Sequence, residues 1–123
     1  MTHDYFPIGT VFVFDVAHVP WGCSVWPALW TKGPDWPNGG EIDVLEAVNR
    51  GTNNQMTLHA LSGCVQPAGV VQLGTTSTSD CSMGANSSIG CTVIETQPNN
   101  FGDGFNQAGG GVWAAQFDVA GIL

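Results

Sequence analysis

Strong cations are almost missing from this sequence. Lys32 and Arg50 stand against ten acidic residues, and the formal net charge is −8. Nucleic-acid binding draws its affinity from many Lys and Arg contacts to phosphate, so two cations argue against that role. The same shortage argues against an anionic membrane surface as a partner, whereas a neutral polymer meets no such repulsion. Charged residues of either sign reach only 10%, well below the roughly 25% of ordinary soluble domains. Lys, Glu and Arg usually build exposed helix faces, so few surface helices are expected. No run of about 18 apolar residues exists, and no membrane-crossing helix is expected. Residues Met1 to Gly9 lack a basic segment followed by an apolar stretch, and so do not read as a leader peptide. If the protein is secreted, its leader lies outside this sequence. No C-x-x-C pair occurs, so no zinc centre is expected. Nor is there a phosphate loop, a Ser–His–Asp arrangement or a nucleotide-binding pattern, and no cofactor is expected.

Turn-forming residues are abundant: 17 Gly and seven Pro. Their density favours short strands joined by turns. Thr10 to Ala17 is β-branched and aromatic and reads as a largely buried strand. Ser24 to Thr31 is a second candidate, with Pro27 arguing for a sheet edge, a bulge or a bend. Lys32 to Gly40 is dense in turn residues and reads as a loop. Glu41 to Val48 alternates acidic and apolar residues, as a half-buried strand does. The short turn Asn49 to Asn54 leads into Gln55 to Ala60, so these two strands are expected to pair as an antiparallel hairpin. From Ser62 to about Asn100 the chain is rich in Ser, Thr, Gly and Asn, with Val70 to Leu73 as a possible short strand. So long a loop is expected to be functional or crosslinked. Val112 to Val119 is the last strand. The 123 residues set a limit of one domain. The strands are too few for a closed sandwich, and truncation at both ends is expected.

Cys23, Cys64, Cys81 and Cys91 allow three disulfide connectivities, and the sequence does not choose among them. Disulfides are expected, with buried free thiols as the alternative. Asn86-Ser87-Ser88 fits the N-glycosylation pattern.

Glu41, Asp43 and Glu46 are the chemical centre of the sequence. On a strand, residues two apart share a face, so Glu41 and Asp43 point the same way while Glu46 has the wrong parity. One extra residue at Val44 or Leu45, a β-bulge, brings Glu46 back to that face. Three carboxyl groups so close cannot all ionise freely, and at least one pKa is expected to rise. Glycoside hydrolysis uses that separation: one carboxylate attacks the anomeric carbon while a protonated partner donates to the leaving oxygen. A solvated acidic strand face or a calcium site would give the same spacing.

Trp26, Trp30 and Trp36 stand shortly before the acids. Sugars present apolar C–H faces, which the flat indole can cover while its N–H donates. Trp36, in a polar turn, and Trp30, near a strand end, suit sugar contact. Trp26 leans towards the core, and Trp21 and Trp113 are expected to pack. His59 lies on the strand expected to pair with the acidic one, where it would bond sugar hydroxyls, support the acid, or serve structure alone. His3 and His18 carry no signal.

Gly40-Glu41-Ile42-Asp43-Val44-Leu45-Glu46 resembles the signature of glycoside hydrolase family 16. The stretch Pro20 to Trp30 resembles its fungal laminarinase-type members, as do Asn53 to His59 and Gly104 to Trp113, all in register. The resemblance implies an all-β fold, an antiparallel β-jelly-roll sandwich of the concanavalin A type, with residues 1–123 forming part of a catalytic domain. It implies a secreted, monomeric endo-β-glucanase acting on β-1,3- or mixed β-1,3/1,4-glucan with retention. Glu41 then matches the nucleophile, Glu46 the general acid/base, and Asp43 the residue tuning their protonation. Trp26, Trp30, Trp36 and His59 are the substrate-binding candidates, and no metal is assigned. A glucan-binding or inactive relative, a transglycosylase and a fragment without its own fold are the competing readings.

Overall fold

The computed structural model describes residues 2–84 and 89–123. The Asn86 glycosylation pattern lies outside the described residues. Among the described residues, eight strands and one short helix follow in the order β1 (Thr10–Val16), β2 (Ala28–Lys32), β3 (Glu41–Glu46), β4 (Gln55–His59), β5 (Thr75–Thr78), β6 (Cys91–Ile94), α1 (Gly102–Gln107), β7 (Gly111–Asp118) and β8 (Gly121–Ile122). They form two antiparallel sheets, one of order β2-β3-β4-β6-β5 and one of order β1-β7-β8. The fold is the all-β sandwich expected.

The second candidate strand begins only at Ala28. Residues 24–27 stay out of the sheet because Pro27 has no N–H to give a ladder. The expected hairpin is β3–β4, with Ile42 opposite Leu58 and Asp43 opposite Thr57. Val70 to Leu73 forms no strand. The polar run Thr75–Thr78 does instead, as the exposed edge of the larger sheet beside β6. The long connection is also crosslinked, by a Cys81–Cys91 disulfide spanning ten residues of sequence, while Cys23 and Cys64 are exposed free thiols.

Helix α1 has no counterpart in the sequence reading. Its glycines at positions 102 and 104 are poor helix formers, and what holds it is burial of Phe101 and Phe105. Those two rings join Val19, Leu45 and Ala47 as the core, with Val16, Trp21, Leu29 and Trp113 packed around it. Each fully buried large side chain contributes about 1.5–3 kcal/mol. Trp21 and Trp113 therefore pack, as their sequence positions suggested. Trp113 lies 4.6 Å from the Phe105 ring, and the Trp21 indole donates to the Gly51 carbonyl oxygen. The core grips β3 from one side, leaving the opposite face of the larger sheet to carry the acids.

Candidate active site

Strand β3 lies inside its sheet, with β2 on one side and β4 on the other, so its position is fixed from both edges. Its ladder is regular up to Asp43 and breaks before Glu46. On β4, Asp43 faces Thr57 and Glu46 faces Gln55, so Val44 and Leu45 together oppose one residue. On β2, Trp30 faces Asp43 and Leu29 faces Leu45, with Val44 skipped. This is the one-residue bulge that parity required. Val44 and Leu45 are both buried, so the apolar pair anchors the irregular stretch while the acids on either side turn to the cleft.

Asn54 holds that bulge together. Its side-chain oxygen accepts the Glu46 backbone N–H at 2.9 Å, and its amide donates to the Val44 carbonyl oxygen at 3.0 Å. Both backbone groups would otherwise lack partners where the ladder opens. Asn54 is only 1% exposed, and its own N–H donates to the Asn100 side chain at 2.6 Å. In the sequence Asn54 is only the last residue of a turn. No local pattern marks a side chain whose partners are backbone groups eight and ten residues away.

Glu41, Asp43 and Glu46 line an open cleft of about 360 Å³ together with Trp26, Ala28 and Trp30. Ala28 is the register partner of Glu46, and Trp30 that of Asp43. A small residue beside Glu46 leaves space, and a flat one beside Asp43 provides a wall. Trp26 is 71% exposed and so is no core residue. Its indole N–H donates to Glu46 Oε1 at 2.7 Å. Trp36, from the loop between β2 and β3, donates its indole N–H to Glu41 Oε2. The two outer carboxylates are thus each steered by an indole from chain N-terminal to β3.

Asp43 differs from both. It is 3% exposed, and its pKa is pushed up to about 8. Burial is the main cause, followed by the negative charges of Glu41 and Glu46 and a hydrogen bond shared with Glu41. At neutral pH the central carboxyl therefore carries a proton, as the close spacing of three acids demands. His59, the register partner of Glu41, places Nε2 3.2 Å from Asp43 Oδ2. Glu41, Asp43 and His59 bring donor atoms within 4.8 Å of one another. A cation there would have to displace both the Asp43 proton and the indole N–H on Glu41, so we assign no metal to them.

A family model described as the XgeA-like, catalytic GH16 domain matches residues 1–123. The chain belongs to glycoside hydrolase family 16. A probable glycosidase of Schizosaccharomyces pombe is 45% identical over 121 residues, which are 96% of this chain and 29% of that protein. The endo-1,3(4)-beta-glucanase xgeA of Emericella nidulans is 39% identical over 117 residues, covering 94% of this chain and 18% of the relative. Among solved structures, the family 16 laminarinase 16A of Phanerochaete chrysosporium, with β-glucans in both donor and acceptor sites, is 40% identical with a TM-score of 0.86. That match covers 90% of this chain and 38% of the laminarinase. The chain thus spans well under half the length of each of these family 16 proteins, and the jelly roll is the fold it shares with the laminarinase.

Proposed function

We propose that the protein carrying this chain is a retaining endo-β-glucanase that hydrolyses β-1,3- or mixed-linkage β-glucan by double displacement. The observation that carries the proposal is the bulged β3, with Glu41, Asp43 and Glu46 on one cleft wall beside Trp26 and Trp30. Kinship with laminarinase-type proteins supports the substrate class.

In the first step the Glu41 carboxylate attacks the anomeric carbon. Glu46 delivers its proton to the glycosidic oxygen, and the shortened glucan leaves as an alcohol. A glucosyl ester on Glu41 remains. In the second step Glu46, now a carboxylate, takes a proton from water as that water attacks the same carbon, which frees Glu41. Two inversions give net retention. Asp43 enters as a neutral acid, so Glu41 gains an uncharged neighbour rather than another negative charge. The indole N–H groups of Trp26 and Trp36 hold the two glutamates in their rotamers. The exposed faces of Trp26, Trp30 and Trp36 offer apolar surface to sugar rings. His59 borders Glu41 and is a further candidate for sugar hydroxyls. A neutral glucan is the partner that a chain of charge −8 does not repel. We further expect a secreted monomer, and the Cys81–Cys91 disulfide supports an oxidising compartment.

The test uses the full-length protein on laminarin and on mixed-linkage glucan, following new reducing ends and the anomer first formed. Hydrolysis with retention is expected, and Glu41→Gln should lower kcat by at least about a thousandfold. Undiminished activity in that variant would sink the assignment. Retardation in a laminarin gel without new reducing ends would replace it with a glucan-binding role, and longer products would replace it with glycosyl transfer.

A further inference from the structure

His59 has a second neighbour that the glucanase reading does not use. Its Nδ1 lies 3.0 Å from the thioether sulfur of Met83. A thioether carries no proton and can only accept, so the proton of this contact sits on Nδ1. A neutral imidazole then has Nε2 bare. Nε2 faces Asp43 Oδ2 at 3.2 Å, and Oδ2 makes no regular hydrogen bond among the described residues. The two atoms have room for one proton between them; a neutral His59 protonated on Nδ1 takes it from the Asp43 carboxyl, whose proton then turns from Glu41 to the imidazole.

Met83 is built into its position. Its backbone N–H donates to the Ala60 carbonyl oxygen at 2.7 Å, one residue beyond His59, and the Ala60 N–H donates to the Cys81 carbonyl oxygen at 2.9 Å. Cys81 is fully buried and tied to Cys91, so this segment is clamped to the end of β4 and to the start of β6. Gly90 borders the same edge of the ring. A Cβ there would come within 2.6 Å of His59 Nδ1 and 2.4 Å of the Leu58 carbonyl oxygen, so only glycine leaves the imidazole its place.

We propose that Met83 is a positioning residue of the active site: its sulfur fixes the Nδ1–H tautomer of His59, which keeps Nε2 an acceptor for the Asp43 proton. The effect runs from Met83 through His59 to Asp43 and reaches Glu41 as a neutral neighbour. Beside the imidazole stand Glu41 and Asp43 from β3, Lys32 of β2 lies in register with Glu41, and Glu46 sits farther along β3 opposite Gln55. From the β6 side the contact is a thioether, beside a disulfide that does not titrate. The importance of Asp43 for catalysis rests on the proposed glucanase reaction, but the tautomer does not.

The experiment is made on full-length protein with ¹⁵N-labelled histidine. Its nitrogen shifts report the His59 tautomer whether or not glucan is cleaved, with a His59→Gln variant giving the assignment. Nδ1–H is expected in the parent. Met83→Leu keeps the side-chain volume and removes the acceptor, so the Nε2–H form should appear. An Nε2–H donor favours the ionised form of Asp43, which moves the alkaline limb of the kcat/KM profile to lower pH. The expected shift is on the order of one pH unit, tenfold in the ionisation constant, as for one hydrogen bond to a charged group. Met83→Gln restores an acceptor oxygen and should restore both tautomer and limb. A parent His59 in the Nε2–H form would overturn the proposal, as would a Met83→Leu variant with tautomer and limb unmoved. A protein that shows the expected tautomers yet cleaves no glucan would overturn the glucanase reading alone.

Discussion

Between two glutamates on one strand face, Asp43 is an acid with little room to ionise. Burial removes the water that would solvate its charge, and Glu41 and Glu46 supply a field of the wrong sign. In the unfolded chain an ordinary aspartate loses its proton near 3.8, whereas the folded protein holds it until about 8. The unfolded state therefore binds fewer protons across that interval, and stability falls as pH rises through it. Below about pH 4 both states are protonated and the penalty is absent; above about pH 8 it is complete. Asp43→Asn has nothing to ionise. Its melting temperature relative to the parent should be lowest near pH 4 and should climb in the variant's favour up to about pH 8. A difference that stays flat over this range would show that Asp43 titrates normally.

At the scale of the element, the bulge in β3 converts a strand with acids on two faces into a strand with all three acids on one. Parity made the need for it visible in the sequence: Glu41 and Asp43 agree in phase, Glu46 does not, and the two residues between are apolar. What pins it was hidden, since Asn54 acts on Val44 and Glu46 through backbone atoms. Removing that side chain leaves a buried N–H and a buried carbonyl oxygen unpaired. Asn54→Ala should therefore cost about 1–3 kcal/mol of stability, read from the denaturation midpoint. It should also lower kcat more than it raises KM, because Glu46 loses its aim while the tryptophans keep theirs. Equal stability of variant and parent would show that water or a shifted backbone satisfies the bulge instead. The other unexpected elements have similar reasons. Thr75–Thr78 is polar because it is an exposed sheet edge, so it lacks the apolar alternation that marks a strand. Helix α1 contains two glycines and is held by Phe101 and Phe105, whose burial depends on strands far away in the chain. Trp26 leans to the core by sequence, yet its indole is committed to Glu46, which β3 provides from twenty residues away.

At the scale of the molecule, one sheet face holds the chemistry and the other holds the fold. The buried residues Leu45 and Ala47 point into the core that Phe101 and Phe105 complete, while Glu41, Asp43 and Glu46 open to the cleft. Charge then decides how a ligand is gripped. With Lys32 and Arg50 as its only strong cations, the chain has little with which to hold an anionic polymer, and the cleft wall itself is acidic. Arg50 is moreover set over the Trp21 ring, 5.7 Å from its centroid, on the packed side of the structure. The glucan of the proposed reaction is neutral and would bind through ring faces and hydroxyl groups. Such contacts release no condensed counterions, so the affinity should be nearly independent of ionic strength. In full-length protein bearing Glu41→Gln, which leaves the polymer uncut, the Kd for laminarin should change by less than about twofold between roughly 50 and 500 mM salt. An anionic polysaccharide held by cations would instead lose affinity steeply over that interval, as phosphate-bound nucleic acids do. A steep salt slope on laminarin would mean that charged groups outside this cleft dominate binding, and the tryptophan wall would then lose its assigned part in recognition.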